Sequence, residues 1–455
     1  MLLDLSIAEI AAKYRSGEIT PTDVINECLA NIEKDNPALN AFITIREKQE
    51  LLKEAQDIKF ETLLSGIPYV LKDAYVTKGL RTTAASKILE NYIPDYNATV
   101  VEKLAKAGAI LIGKTNMDAW GHGASSENTD FGPVKNPWDQ SRVAGGSSGG
   151  AAVAVSSRMA MFAIGEDTGG SIRNPAGWCG ISGLKVTYGR VSRYGAIAYA
   201  SSLDTVGPMA KSSQDLAIVL EQIAGLDPYA ATSSPVEVPK FADDLNIDLK
   251  KIKVGLPLEL NTQIKDAVAK LKELGAEVVD ISLPMLKYAV AVYYLLAPSE
   301  TSSNLGRYDG IRYGKGRENF TQESMRRIMV GTYALSAGYY DAYYKKAQQA
   351  RTKIIDDYKK AFAKCDVILM PISPTIAPKL GELISDPVKN MLADMYAVTA
   401  SIAGIPSLAI PCGFEDGMPV GLQIQGPMFS ERSLLRLGHS YQRATSWHVQ
   451  KPQLS

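Results

Sequence analysis

The chain has 455 residues, enough for one large core or two smaller ones and too many for a small binding module. Its 49 Lys and Arg equal its 49 Asp and Glu, which excludes the basic excess with which a protein grips nucleic acid through its own field. Composition is ordinary for a globular protein, and no uncharged apolar run reaches the ~18 residues of a membrane-spanning helix.

The start, MLLDLSIAEIAAKYRSGE, is too acidic for a secretory signal, so the expected compartment is the cytoplasm. Ser6 with Glu9 forms a capping-box pattern, and Thr20, Pro21 and Asp23 open a second helix with Ile25, Leu29 and Ile32 at helical spacing. An apolar run, Ala41 to Ile45, precedes another helix. Gly66 to Leu71, GIPYVL, reads as a brief strand ending in Lys72 and Asp73. Asn97 is expected to cap the helix carrying Val100, Val101 and Leu104, with Gly108 as its stop and a strand from Ala109 to Ile112. The same order of helix, Gly and strand recurs from Ile264 to Ile281 around Gly275, which favours a mixed α/β sheet with helices on its faces. Residues 226–250 read as a surface excursion. Cys28, Cys179, Cys365 and Cys412 are too far apart for a metal finger, and no disulfide frame is expected.

Glycine marks where chemistry is to be sought. Between Gly121 and Gly195 there are 15 glycines in 75 residues, against 37 in the whole chain, a density that calls for close backbone approaches. Two motif matches near this region fail on context. Gly108 to Thr115 has the spacing of a nucleotide-binding P-loop, but a helix precedes it and its intervening residues are strand formers, so it reads as a buried strand with Lys114 at its end. Gly145 to Gly149 fits the nucleophile elbow GxSxG, with His439 or His448 late in the chain, yet the preceding NPWDQSR is too polar for the strand an elbow requires. GGSSGG also fits a flexible loop, although it runs straight into the small-residue helix Ala151 to Val155.

A second glycine loop follows 24 residues after Ser147: Asp167-Thr-Gly-Gly-Ser171-Ile-Arg173, directly after an apolar run. Two glycines before a serine let successive N–H groups face one concavity, as an oxyanion requires, with Ser171 at its lip. An ordinary tight turn with a solvated serine fits this loop equally well. A nucleophilic serine needs a base, and His122, His439 and His448 are not placed by spacing to serve both loops. A buried lysine kept neutral serves instead, and Lys72, at the end of GIPYVL, is the candidate.

Lys72 in GIPYVLKD, GGSSGG at Gly145 to Gly150 and DTGGSIRNPA at Asp167 to Ala176 together resemble the amidase signature family. Segments 183–195, 201–210, 302–314 and 331–344, with AGIPSLAIPCG and GMPVGLQIQG, narrow the likeness to its glutamine-hydrolysing members, the A subunits of aspartyl/glutamyl-tRNA(Asn/Gln) amidotransferases. Val186 and Ala144 depart from that pattern, each standing where a proline is expected. The resemblance implies one large α/β amidase-signature domain, a central mixed sheet covered by helices on both faces. Residues 1–60 would be its helical flank, 61–455 the domain and about 66–200 the catalytic core.

For the chemistry, the resemblance implies that Ser171 attacks the side-chain amide of glutamine. Ser147, in a cis peptide, relays the proton, Lys72 is the base, and the backbone N–H groups of Thr168, Gly169, Gly170 and Ser171 hold the oxyanion. Tyr293, Arg327 and Asp394 would bind glutamine, with Arg326 and Tyr294 as adjoining alternatives. The resemblance further implies an ammonia-producing component with no metal or cofactor of its own. ATP and magnesium would sit on the B subunit, a partner that holds the tRNA, with the small C subunit stabilising the heterotrimer. The same Lys72, Ser147 and Ser171 would equally serve a stand-alone amidase acting on a small linear amide.

Overall fold

Short runs buried on both faces pair into one central sheet. The computed structural model describes residues 1–260 and 264–454. Its strands are β1 Phe42–Ile45, β2 Pro68–Lys72, β3 Ile110–Thr115, β4 Phe162–Asp167, β5 Ser182–Lys185, β6 Thr205–Ala210, β7 Lys253–Pro257, β8 Glu277–Ile281, β9 Val367–Pro371, β10 Ser407–Glu415 and β11 Met418–Gln425. They form an 11-stranded sheet in the order β1-β3-β2-β4-β6-β5-β10-β11-β9-β7-β8. β2 runs parallel to β3 and β4, and β7 runs parallel to β8 and β9; the remaining neighbours are antiparallel, so the sheet is mixed as expected.

Both faces are covered. Along β2, Tyr69 and Leu71 enter one apolar cluster with Phe162 and Ile164 of β4, while Val70 enters the opposite cluster with Ala163. A strand buried on both sides reads as a continuous apolar run, which is why GIPYVL shows no polar alternation. The opposite face of this region is covered by the helix Gly149–Ser156, whose residues are all buried against β2 and β4. Its sequence GGAAVAVS permits that approach because no side chain is larger than valine.

The N-terminal helices Ile7–Ser16 and Pro21–Leu39 start with the two capping boxes read from the sequence, Ser6 with Glu9 and Thr20 with Asp23. Gly17 and Gly108 take positive φ after their helices, and so does Gly275. Asn97 departs from expectation. The helix Thr99–Lys106 begins after Ala98 without a side-chain cap, because the Asn97 Oδ1 atom accepts instead from the Lys78 N–H at 2.8 Å. Segment 226–250 lies across the surface, pinned by buried Phe241, Leu245 and Leu249. The four cysteines are buried and free. Among the described residues, no helix is long and apolar enough to cross a membrane.

Candidate active site

β2 and β4 are parallel neighbours, so their C-terminal ends, Lys72 and Asp167, reach the same side of the sheet. This is where open α/β sheets place their chemistry. Two loops meet there. One precedes the helix Gly149–Ser156 and contains a cis peptide between Gly146 and Ser147; the other follows β4 and leads into the helix Arg173–Cys179. The Ser148 N–H donates to the Ser171 carbonyl at 3.1 Å, fastening one loop to the other.

GGSSGG is a packed element rather than a flexible run. Gly145 has φ +85°, and a Cβ on it would lie 2.6 Å from Asn174 Oδ1 and 2.7 Å from the Pro175 Cα. A Cβ on Gly146 would lie 2.0 Å from Asp118 Oδ2. Asp118 is fully buried, accepts from the Ser126 and Asn128 N–H groups at 2.8 and 3.1 Å, and donates its own N–H to the Ser147 carbonyl at 3.2 Å. Burial pushes its carboxyl up to about 6, against the pull of those two amides.

Lys72 has no exposed surface, and its Nζ donates to Ser147 Oγ at 2.7 Å and to the Glu166 carbonyl at 3.4 Å. Burial lowers its pKa below the ordinary lysine value, with the carboxylates of Glu166, Asp118, Asp204 and Asp167 opposing that shift. The Glu166 carboxylate is 3.6 Å from the same Nζ. Ser171 retains some exposure at 7%, whereas Ser147 is 1% exposed. The arrangement sets a buried amine against an inner serine, with a second, slightly more exposed serine in the same loop pair.

The 168–171 loop is braced from behind. Asp167 makes a fully buried ion pair with Arg173, whose Nε and Nη2 donate to its two oxygens at 3.0 and 2.9 Å. Burial pushes the Asp167 carboxyl up, and the Arg173 guanidinium with the other donors holds it below its usual value. Asp204 accepts from Thr168 Oγ1 at 2.7 Å and from the N–H groups of Tyr199 and Ala200. One expected oxyanion donor is corrected by this bracing. The Gly170 N–H, expected to face an oxyanion, is committed to Asp167 Oδ1 at 2.9 Å.

Of the three residues expected to hold glutamine, Tyr293 and Asp394 lie against this loop. The Tyr293 ring covers Gly169 so closely that a Cβ there would fall 2.4 Å from Tyr293 Cζ. Asp394 Oδ1 is 3.4 Å from the position of a Cβ on Gly170, and Asp394 Oδ2 accepts from the Tyr294 hydroxyl at 3.3 Å. Burial pushes the Asp394 carboxyl up to about 8, with the Arg327 charge opposing. Arg327 faces inward, its side chain 4% exposed, donating to Glu323 at 2.7 Å and to the Tyr199 hydroxyl at 2.6 Å. Arg326 lies outside at 30% and pairs only with Glu323 among the described residues.

Sequence reasoning missed Glu166, Asp118, Arg173, Asp204 and Tyr199. Asp167 and Arg173 bracket the DTGGSIR run and were open to reading as its internal clamp; Glu166 directly precedes that run but its partner Lys72 is remote in the chain, and Asp118, Asp204 and Tyr199 approach from distant segments and leave no local signal.

The discarded motifs have structural roles. Lys114 is fully buried on β3 and bonds to Asp73, the Tyr75 carbonyl and Thr82 Oγ1. His122 is buried between Ser324 and Thr301, and burial holds its pKa well below the ordinary histidine value. A cavity of about 920 Å³, lined by Arg193, Arg307, Tyr308 and Tyr313 among others, includes none of Lys72, Ser147 and Ser171 in its wall. No cluster of three or more His, Cys, Asp or Glu suited to a metal occurs among the described residues.

Known proteins share this organisation along the whole chain. The A subunit of glutamyl-tRNA(Gln) amidotransferase from Desulfatibacillum aliphaticivorans is 48% identical over 484 residues, covering 100% of both chains. That of Alkalilimnicola ehrlichii is 49% identical, covering 98% of this chain and 99% of its own. Among solved structures, the A subunit of glutamyl-tRNA(Gln) amidotransferase from Thermotoga maritima superposes with a TM-score of 0.86 at 39% identity, covering 100% of this chain and 98% of its own. The 6-aminohexanoate cyclic dimer hydrolase superposes with a TM-score of 0.89 at 25% identity, covering 99% of each chain. The family model described as Amidase matches residues 23–435, the span that contains both glycine loops and the lysine behind them, and the chain belongs to that family.

Proposed function

We propose that this chain is the glutamine-hydrolysing subunit of a tRNA-dependent amidotransferase. The observation that carries the reading is the buried Lys72 Nζ donating to Ser147 Oγ at 2.7 Å, directly behind the loop that presents Ser171. Relatives nearly half identical over their full length bear the name of such a subunit, which supports the same reading.

Ser171 Oγ attacks the side-chain amide carbon of glutamine. Its proton passes to Ser147 Oγ as the Ser147 proton passes to Lys72 Nζ, so one lysine activates the nucleophile through a bridging hydroxyl. The amide oxygen becomes an oxyanion facing the N–H groups of Thr168, Gly169 and Ser171, and loss of one such donor typically costs ~2.7 to 4 kcal/mol of transition-state stabilisation. An amide nitrogen leaves only when protonated, and Lys72 returns its proton through Ser147 for that purpose. Ammonia departs, and water then releases glutamate from the Ser171 ester by the same relay.

Arg327 receives the α-carboxylate, Asp394 the α-ammonium, and Tyr293 closes the pocket over Gly169. Opposite charges at the two ends select a free amino acid over a plain linear amide. The ammonia goes to the B subunit, which holds the tRNA and carries ATP and magnesium, with the C subunit making up a cytoplasmic heterotrimer. The balanced charge of this chain is compatible with leaving the tRNA to a partner.

The test is glutamate release from glutamine by the full chain with its B and C partners added. Ser171→Ala is expected to abolish it, and Arg327→Ala or Asp394→Ala to raise KM. Absence of glutamate from the complete wild-type complex would refute the proposal.

A further inference from the structure

The carboxyl beside Lys72 is unused by the relay described above, and burial raises its pKa while the charges of Lys72 and Arg193 oppose that shift. Glu166 is 2% exposed, lies one residue before the end of β4, and brings Oε2 to 3.6 Å from Lys72 Nζ. Its backbone carbonyl accepts from the same Nζ at 3.4 Å and from Ser148 Oγ at 3.2 Å. Oε1 has no hydrogen-bond partner among the described residues. An uncompensated carboxyl at such a depth is costly, so its position beside a cation calls for a reason.

The groups facing this pair come from several elements. Lys72 on β2 and Arg193 on the loop after β5 are the cations facing Glu166; Asp167 on β4 and Asp204 before β6 are the nearby carboxylates, and the Tyr75 phenol lies within their field. The Asp118 charge also acts on Lys72. Asp167 is already paired with Arg173, and Asp118 is held by backbone amides. Glu166 is therefore the carboxylate in direct ion-pair reach of Lys72.

We propose that Glu166 is a positioning residue: its carboxylate holds the Lys72 ammonium beside Ser147 and sets the pH at which Lys72 becomes an amine able to accept the Ser147 proton. This rests on the reading of Lys72 as the base. The carboxylate favours the charged lysine, stabilising the ammonium formed during attack while raising the pH at which the resting amine appears. Removing the negative charge acts in the opposite sense. A partner charge within 4 to 6 Å shifts such a group by about 1 to 3 pH units.

The experiment uses an alkyl fluorophosphonate and the full-length chain, without glutamine. Ser171 Oγ forms a bond to phosphorus, fluoride leaves, and the serine proton passes through Ser147 to Lys72. Labelling rates are followed by intact mass from pH 5 to 10 for wild type, Glu166→Gln, Glu166→Asp and Ser171→Ala. The acid limb of the Gln variant is expected about 1 to 3 units below that of wild type, with a lower plateau. Asp, which keeps the charge on a shorter arm, is expected to fall between them and remains informative if the Gln variant does not fold. A limb that stays in place or moves up in either variant would overturn the role of Glu166 while leaving Ser171 as the nucleophile. Labelling that survives Ser171→Ala, or no labelling of wild type at any pH, would overturn the underlying site reading and this proposal with it.

Discussion

Lys114→Met separates a structural lysine from a nucleotide-binding one within the GxxxxGKT pattern. Lys114 Nζ is 2.9 Å from Asp73 Oδ1, and neither side chain has exposed surface. At an effective dielectric of 20, the attraction across that distance is about 6 kcal/mol before desolvation is counted. Desolvation offsets much of it in the intact pair, but removing one partner leaves the other charge buried alone, which costs about 3 to 5 kcal/mol. The Tyr75 carbonyl and Thr82 Oγ1 also lose the donor that reaches them at 2.8 Å. Asp73 Oδ2 retains the Thr83 N–H and hydroxyl, so Asp73→Asn can keep one acceptor there while removing the charge. Denaturant titration by tryptophan fluorescence is expected to show Lys114→Met less stable by about 3 to 5 kcal/mol, with Asp73→Asn restoring about 1 kcal/mol or more in the double variant. A loss under about 1 kcal/mol, or no recovery in the double variant, would refute the argument that burial of this pair is what demands both residues.

Gly169→Ala places a methyl 2.4 Å from Tyr293 Cζ, so the ring and the oxyanion loop must separate. Glutamine hydrolysis is expected to fall by about a hundredfold in kcat/KM, the usual effect of a displacement near 1 Å, and an unchanged value would show that Tyr293 does not close this pocket. The Asp394 carboxyl, pushed up to about 8 by burial, is neutral below that pH in the free chain and ionised above it. Since the α-ammonium of glutamine needs the ionised form, calorimetry on Ser171→Ala is expected to show Kd falling by up to about tenfold per pH unit as pH rises toward 8. Asp394→Asn should bind weakly with no such slope; a flat profile in the unsubstituted pocket would contradict the assignment.

Local chemistry is legible in the sequence wherever the relevant neighbours are close in the chain. Ser6 with Glu9 and Thr20 with Asp23 span three residues each, so capping is readable directly, and both boxes form. Asn97 shows the limit of such reading: its side chain had two acceptable partners, and the distant Lys78 N–H took it. Lys72 at the end of an apolar run and the two glycine loops were visible as unusual, yet their meeting depends on β2 lying beside β4 across a long stretch of chain. The Gly170 amide was miscounted because Asp167, three residues earlier, folds back and occupies it.

By itself the sequence determined the mixed α/β class, the failure of the P-loop and elbow patterns, and the residue types able to form a serine–lysine relay, because periodicity, capping and loop composition are local properties; amide cleavage was implied by the family resemblance. Only the tertiary structure decided that Arg327 rather than Arg326 faces inward, that Tyr293 lies over Gly169 while Tyr294 bonds to Asp394, and that Glu166 stands against Lys72. Those outcomes depend on which side of a helix is covered and on charges brought together in a dry interior. There, a few ångströms between segments remote in the chain alter the protonation of a group, and no pattern of neighbouring residues encodes that distance.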